Sequence, residues 1–256
     1  MIQQESAARR IAALFGVALA LAATASASQA RDLLTLGAGT EIEHVARIGD
    51  RQVPLPAGKW ELVLAETDRR GSVKSGTAFL VQKVDGNLAG YLFVRTNLEH
   101  GSGSGWNRPR WCDRNNVHHA ESDNHYNKQD ADCWFVNHRI VSNKVARWGF
   151  LNRMKAYLRK HGAASTVVGN RYRRNDAYDF LSVGHFLNPA AYGFPPERGT
   201  RWVESRWHSN AVDGTPRRAF VDAVKAFGET YREAVRQGFR GRLASGTPGL
   251  KFEYRQ

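Results

Sequence analysis

No nucleophile elbow of the form G-x-S-x-G, no H-E-x-x-H zinc helix, no phosphate-binding P-loop and no dinucleotide G-x-G-x-x-G occurs in this chain. The familiar hydrolase, metalloprotease, nucleotide and dehydrogenase signatures are therefore excluded. Gly101-Ser102-Gly103-Ser104-Gly105 is a flexible link, since no strand–helix pair surrounds it. Cysteine is scarce, with only Cys112 and Cys133. Acid is also missing locally. From residue 133 to 175 there is no Asp or Glu and there are 10 Lys and Arg. Beyond the N-terminus no apolar run approaches the roughly 20 residues of a membrane-spanning helix.

The N-terminus has the three parts of a secretory signal. Arg9 and Arg10 are its charged start, Ile11 to Ala23 its apolar run of 13 residues, and Ala25-Ser26-Ala27 and Ser28-Gln29-Ala30 its small-residue cleavage sites. Cleavage is expected after Ala30, with Ala27 the alternative. An uncleaved anchor and a twin-arginine signal are the other readings of the segment. Removing residues 1–30 leaves 226 residues carrying a net charge of +12. A chain of that length buries a full core. In an oxidising compartment two cysteines pair with each other, so a Cys112–Cys133 disulfide is expected. Loop closure there is worth roughly 3 kcal/mol. Trp111 and Trp134 flank the sulfurs in sequence.

The predicted fold class is α+β in a single domain, residues 31–256: a sheet-rich 31–99, a stapled loop at 106–137, and helix, hairpin and helix over 144–238. Trp60, Leu62 and Leu64 alternate with Lys59 and Glu61, the period of a half-buried strand. Thr77–Val84 and Leu88–Arg95 flank Asp85-Gly86-Asn87, a strong hairpin signal. A second hairpin is expected around Arg174-Asn175-Asp176. Residues 144–161 predict a helix with Phe150, Leu151, Met154, Tyr157 and Leu158 on its buried face. The last helix begins at Thr215-Pro216 and buries Phe220, Val224, Phe227, Tyr231 and Val235. On its polar face Arg218 is expected to pair with Asp222, and Glu229 with Arg232.

Three groups of residues suggest chemistry. In helical register Lys144, Trp148, Lys155 and Arg159 fall on one side, a basic stripe with an indole that would concentrate anions. The competing reading is a solvated face whose Trp148 packs on a neighbour. Second, His118, His119 and His125, with nearby Asp113, Asp123, Asp130, Asp132 and His138, are ligand types suited to zinc. Their H-H-x5-H spacing fits no metal motif, so neither a metal nor any cofactor is expected. Third, Trp106, Trp111, Trp202 and Trp207 lie in irregular Arg-rich stretches, with Glu204 and His208 beside the last two. A saccharide site of stacking indoles and paired carboxylates would look so, but tryptophans in a core would too.

Leu55-Pro56-Ala57-Gly58-Lys59-Trp60, then Cys112 and Cys133-Trp134, then Asn188-Pro189 before a Trp-rich stretch, is similar to a pattern in uncharacterised exported proteins of Gram-negative bacteria. The similarity spans most of the mature chain. It implies a periplasmic location and carries no activity with it.

The leading expectation is a non-catalytic protein that binds an anionic envelope component: lipid headgroups, cell-wall polymer or an acidic protein surface. No transmembrane segment is expected after cleavage, and export removes nucleic acid as a partner. The alternatives are an envelope hydrolase, metal-dependent or not, using the histidines or the Glu204/His208 pair, and a carrier of a small ligand.

Overall fold

The computed structural model describes residues 30–254 apart from 108, 124–128, 143, 213 and 245. The expected signal peptide, but for Ala30, therefore lies outside the described residues, as does His125. The strands are β1 (Arg31–Asp32), β2 (Glu41–Ile42), β3 (Val45–Ile48), β4 (Arg51–Pro54), β5 (Trp60–Arg70), β6 (Val73–Val84), β7 (Asn87–Asn97), β8 (His119–Asp123), β9 (Asp130–Ile140), β10 (Thr166–Asp176) and β11 (Phe180–Leu187). The helices are α1 (Gly149–Lys160) and α2 (Thr215–Phe239). The fold is α+β. An eight-stranded antiparallel sheet, in the order β2-β5-β6-β7-β11-β10-β9-β8, is joined by a small sheet, β1-β3-β4.

Local chemistry explains the tight turns. Between β6 and β7, Val84 pairs with Asn87, so Asp85 and Gly86 form a two-residue loop. Both have positive φ, 49° and 76°, as the right-handed twist of a hairpin demands. The second expected hairpin is the β10–β11 pair, but its turn lies at 177–179 rather than around Arg174-Asn175-Asp176, since Arg174 and Asn175 still pair with Leu181 and Phe180.

Each face of the large sheet has its own cover. One face carries Trp60, Leu80, Leu92, Trp134, Tyr172 and Val183, and α2 lays Phe220, Val224, Phe227, Tyr231 and Val235 into it. Gly228 makes close approach possible: a β-carbon there would come within 2.5 Å of both Asn170 Oδ1 and the Trp134 ring. The gap lets sheet side chains reach helix carbonyls, Tyr172 OH donating to Gly228 O at 3.1 Å and Asn170 Nδ2 to Val224 O at 3.1 Å. On the opposite face α1 buries Phe150, Met154 and Leu158 against Phe79, Val81, Tyr91 and Phe93, with Leu151 and Tyr157 partly buried beside them. With only 12 residues, α1 covers the β6–β7 half of that face. The β11–β10–β9 half is left to loops.

Three sequence expectations need correction. The segment 106–137 is not one irregular loop, since β8 and most of β9 lie in it and β9 pairs with β10 along its whole length. Its strand character was hidden because both faces of β9 mix polar and apolar residues, so no alternation arises. Helix α1 begins at Gly149 rather than 144. Asn152 holds the preceding chain out of helical form, its Oδ1 accepting from Ala146 N at 2.7 Å and its Nδ2 donating to Ala146 O at 2.9 Å. Finally, Arg232 does not pair with Glu229, whose partner is Lys225 at 3.6 Å. Arg232 is buried and reaches Asp132 (3.0 Å), Asp123 (2.8 Å) and Glu121, tying α2 to β8 and β9. Arg218 likewise turns away from Asp222 and donates to Val212 O.

The Cys112–Cys133 disulfide is present, with a Cα–Cα distance of 5.9 Å. Cys133 is on the loop-covered face of β9, so the bond pins the short 3-10 turn at Arg110–Asp113 over that half of the sheet.

A candidate anion-binding groove

Side-chain alternation along the central strands builds the floor. In β10, Arg171 and Arg173 point to the loop-covered face, while Tyr172 between them packs towards α2. Register places Arg171 beside Gly184 and Phe135, and Arg173 beside Ser182 and Cys133. Ser182 in turn adjoins Arg95 of β7, and Arg139 of β9 occupies the same face farther along.

Two adjacent hollows, sharing part of their lining, lie over this floor. The smaller, about 240 Å³, is lined by Arg95, Arg171, Arg173, Ser182, Phe180 and Trp148 among others. The larger, about 1060 Å³, runs from Arg171 and Arg139 out to Lys144, Arg159, Arg198 and Trp202. Trp111 and Arg171 line both and form the sill between them. The disulfide to Cys112 thus also holds Trp111 in place.

Five of the groove arginines lie over an aromatic ring: Arg173 on Phe180 (3.8 Å), Arg171 on Trp111 (4.6 Å), Arg95 on Trp148 (4.9 Å), Arg114 on Trp202 (5.5 Å) and Arg139 on Phe186 (5.7 Å). A stacked guanidinium is held by cation–π attraction and keeps its N–H edge for an oxyanion. These rings are engaged by protein groups. Trp148 also stacks on Phe150 and Trp202 on His138, so the indoles serve the arginines rather than a sugar ring.

Charge here is out of balance. Asp68 pairs with Arg95 at 3.1 Å, but neither Arg171 nor Arg173 has an ion pair or hydrogen bond among the described residues. Arg173 is only 9% exposed, and the Nε of both is buried and unsatisfied, as is Ser182 Oγ. Burial, with neighbouring arginines adding repulsion, pushes each guanidinium down to about 9. Both remain cations at neutral pH. Burying an unpaired charge is costly, and here one buried and one half-buried guanidinium lie side by side on the same strand face without a carboxylate among the described residues.

The larger hollow has one carboxylate, and it is already committed. Buried Glu197 accepts from Thr166 Oγ1 (2.5 Å), Ser205 Oγ (2.7 Å) and Arg206 N (2.7 Å). Burial would raise its carboxyl, but these hydrogen bonds outweigh that and hold it below the usual range. His138 is similarly occupied, its Nε2–H donating to Trp202 O at 3.0 Å. Burial takes its imidazole down to about 4. His118 and His208 approach it, with ring centroids 6.5 and 5.6 Å away. His118 Nε2 is bonded to Trp207 O (2.9 Å) and His208 Nδ1 accepts from Asn210 N (3.2 Å). His119 turns to the other side and packs on Trp134. No group of three or more His, Cys, Asp or Glu positioned for a metal occurs among the described residues.

Of the basic stripe, Lys144 and Arg159 line the larger hollow and Trp148 the smaller. Lys155 braces the wall by donating to Lys144 O at 2.9 Å. The four are thus gathered around the groove rather than along one exposed helix face. Glu204 pairs with Arg201 on the surface and does not converge with His208 on a cleft. Trp207 is buried against Phe194 and Phe220. Trp134 is stacked on Tyr172 beneath α2 and so does not shield the disulfide. Sequence reasoning missed Arg171 and Arg173 as site residues, although Arg-Tyr-Arg at period two following the apolar Val167-Val168 of the same strand was the available signal.

No protein-family model, no curated protein and no solved structure matches this chain, so the geometry of the groove alone carries the functional argument.

Proposed function

We propose that the protein is exported and binds, without catalysis, an anionic component of the cell envelope in the arginine groove. One observation carries this reading: Arg173, buried, and Arg171, half-buried, sit in the groove floor with no carboxylate partner among the described residues. Lys144, Arg159 and Arg198 extend the positive field to the mouth, where they capture and orient an anion. The disulfide and the net charge of +13 suit an oxidising compartment bounded by anionic polymers and lipids.

A hydrolase would need a free acid and base near one another. Among the described residues Glu197 and His138 are the groove's candidates, and both are taken up by hydrogen bonds. The carrier reading keeps one specific support, the 1060 Å³ hollow, which is about the upper size of small-ligand pockets, roughly 300–1,000 Å³.

Co-sedimentation with anionic vesicles and with cell-wall sacculi tests the proposal. Wild type should bind at low salt and release as the screening length falls from about 10 Å at 0.1 M to about 3 Å at 1 M. The Lys144/Arg159/Arg198→Gln variant should bind at least tenfold more weakly. Equal binding by both proteins, or no effect of salt, would remove the groove from the function. Binding of soluble anions with none to vesicles or sacculi would favour the carrier.

A further inference from the structure

Resting on the anion-groove reading, we infer that the smaller hollow is a seat for a doubly charged oxyanion, a phosphate monoester, at the end of a longer ligand that continues over Trp111 into the larger hollow. The argument is one of charge and room. Of the three arginines in the hollow, Arg95 is answered by Asp68, whereas Arg171 and Arg173 are not answered by any described residue. That leaves two positive charges. A phosphate monoester carries about −1.5 to −2 at neutral pH, while a phosphodiester, a sulfate ester or a carboxylate carries one. Ser182 Oγ, buried without a partner between Arg95 and Arg173 in the sheet register, supplies a neutral donor to the same place. Guanidinium edges offer the paired N–H bonds that suit a phosphoryl group. A volume of about 240 Å³ has room for one oxyanion head, and the body of the ligand must lie beyond the sill. The outer cations at Lys144, Arg159 and Arg198 then act on that body.

Titration calorimetry with three small probes measures the charge preference directly. Glycerol 3-phosphate is the dianionic monoester; dimethyl phosphate and methyl sulfate are monoanions of similar size. The monoester should bind at least tenfold more tightly than either. Arg173→Gln should abolish that preference, and Arg173→Lys should retain part of it, keeping charge but losing the planar fork. Lys251→Gln, at an exposed residue paired with Glu253, should change nothing. A melting temperature no lower than wild type certifies that Arg173→Gln is folded. Vesicles containing phosphatidic acid, set against phosphatidylglycerol vesicles and soluble glucose 6-phosphate, show whether the monoester is a lipid headgroup or a sugar phosphate. Equal affinity for mono- and dianions, or an unchanged preference in Arg173→Gln, overturns the inference. If that happens while vesicles or sacculi still bind through Lys144, Arg159 and Arg198, only the dianion seat is lost. If no anion binds at all, the groove reading fails with it.

Discussion

A protein that holds an unpaired buried cation for its ligand should become more stable when the cation is removed, and Arg173→Met is the substitution that measures this. The Arg173 guanidinium is 9% exposed and lies 3.8 Å from the centre of the Phe180 ring. Burial, then repulsion from Arg171 and Arg95, lowers it to about 9. A drop of that size, at about 1.4 kcal/mol per pH unit, puts the cost of the charge on the order of 5 kcal/mol. Because the folded value is the depressed one, the cost is fully present below pH 9 and released only as pH rises through it. Methionine keeps the apolar stem and a sulfur contact to Phe180, so the loss of the cation–π attraction, about 2 kcal/mol, is partly recovered. The expected net gain is about 1–3 kcal/mol. At about 2–4 °C per kcal/mol for a chain of this size, the melting temperature of the ligand-free variant should rise by roughly 2–12 °C. Calorimetry on dialysed wild type and variant provides the measurement, and added glycerol 3-phosphate should narrow the difference by stabilising wild type alone. An unchanged or lower melting temperature would mean that Arg173 has a partner in the folded protein, and the charge-deficit argument would then collapse.

Two further outcomes follow from the scaffold. Arg232→Met should destabilise by about 3–5 kcal/mol, because it leaves buried Asp132 with Arg236 alone and removes one of the two arginines that tie β8 to α2; a urea-midpoint change equivalent to less than 1 kcal/mol would show that the network contributes little. Acid should also weaken the fold well above the carboxylate range. His185, among Trp60, Phe227 and Tyr231, is pushed by burial down to about 3, and His138 down to about 4. Each therefore favours folding fully above the unfolded value near 6.5, and that stability drains as pH falls towards the folded values. Near pH 5 the two should together cost about 2–3 kcal/mol per pH unit, and a flat urea midpoint between pH 7 and 5 would contradict their burial as neutral rings.

Much of the architecture was legible in the chain itself. Asp85-Gly86 marks its hairpin because both positions need positive φ, a local demand that any fold must meet. The apolar positions of α2 and α1 repeat at helical spacing because each helix has one dry face, and the two cysteines had no other partner. Those signals lie within short windows, so no knowledge of the rest of the molecule was needed. Strand β9 was not legible, since α2 covers one face and the groove the other, which erases the alternation expected of a half-buried strand. Arg232 looked balanced by Glu229 along its own helix, yet burial against β9 gave it Asp132, about 100 residues away. The same holds for the site. Sequence concentrated ten basic residues between 133 and 175 and marked Lys144, Trp148, Lys155 and Arg159 as a stripe on one helix. Only the antiparallel register put Arg171 and Arg173 on the floor with Arg95 and Ser182, and only the disulfide brought Trp111 over them. Charge density is a property of the chain. Whether a charge is solvated or buried without a partner depends on what packs across from it, and the tertiary structure alone decides that.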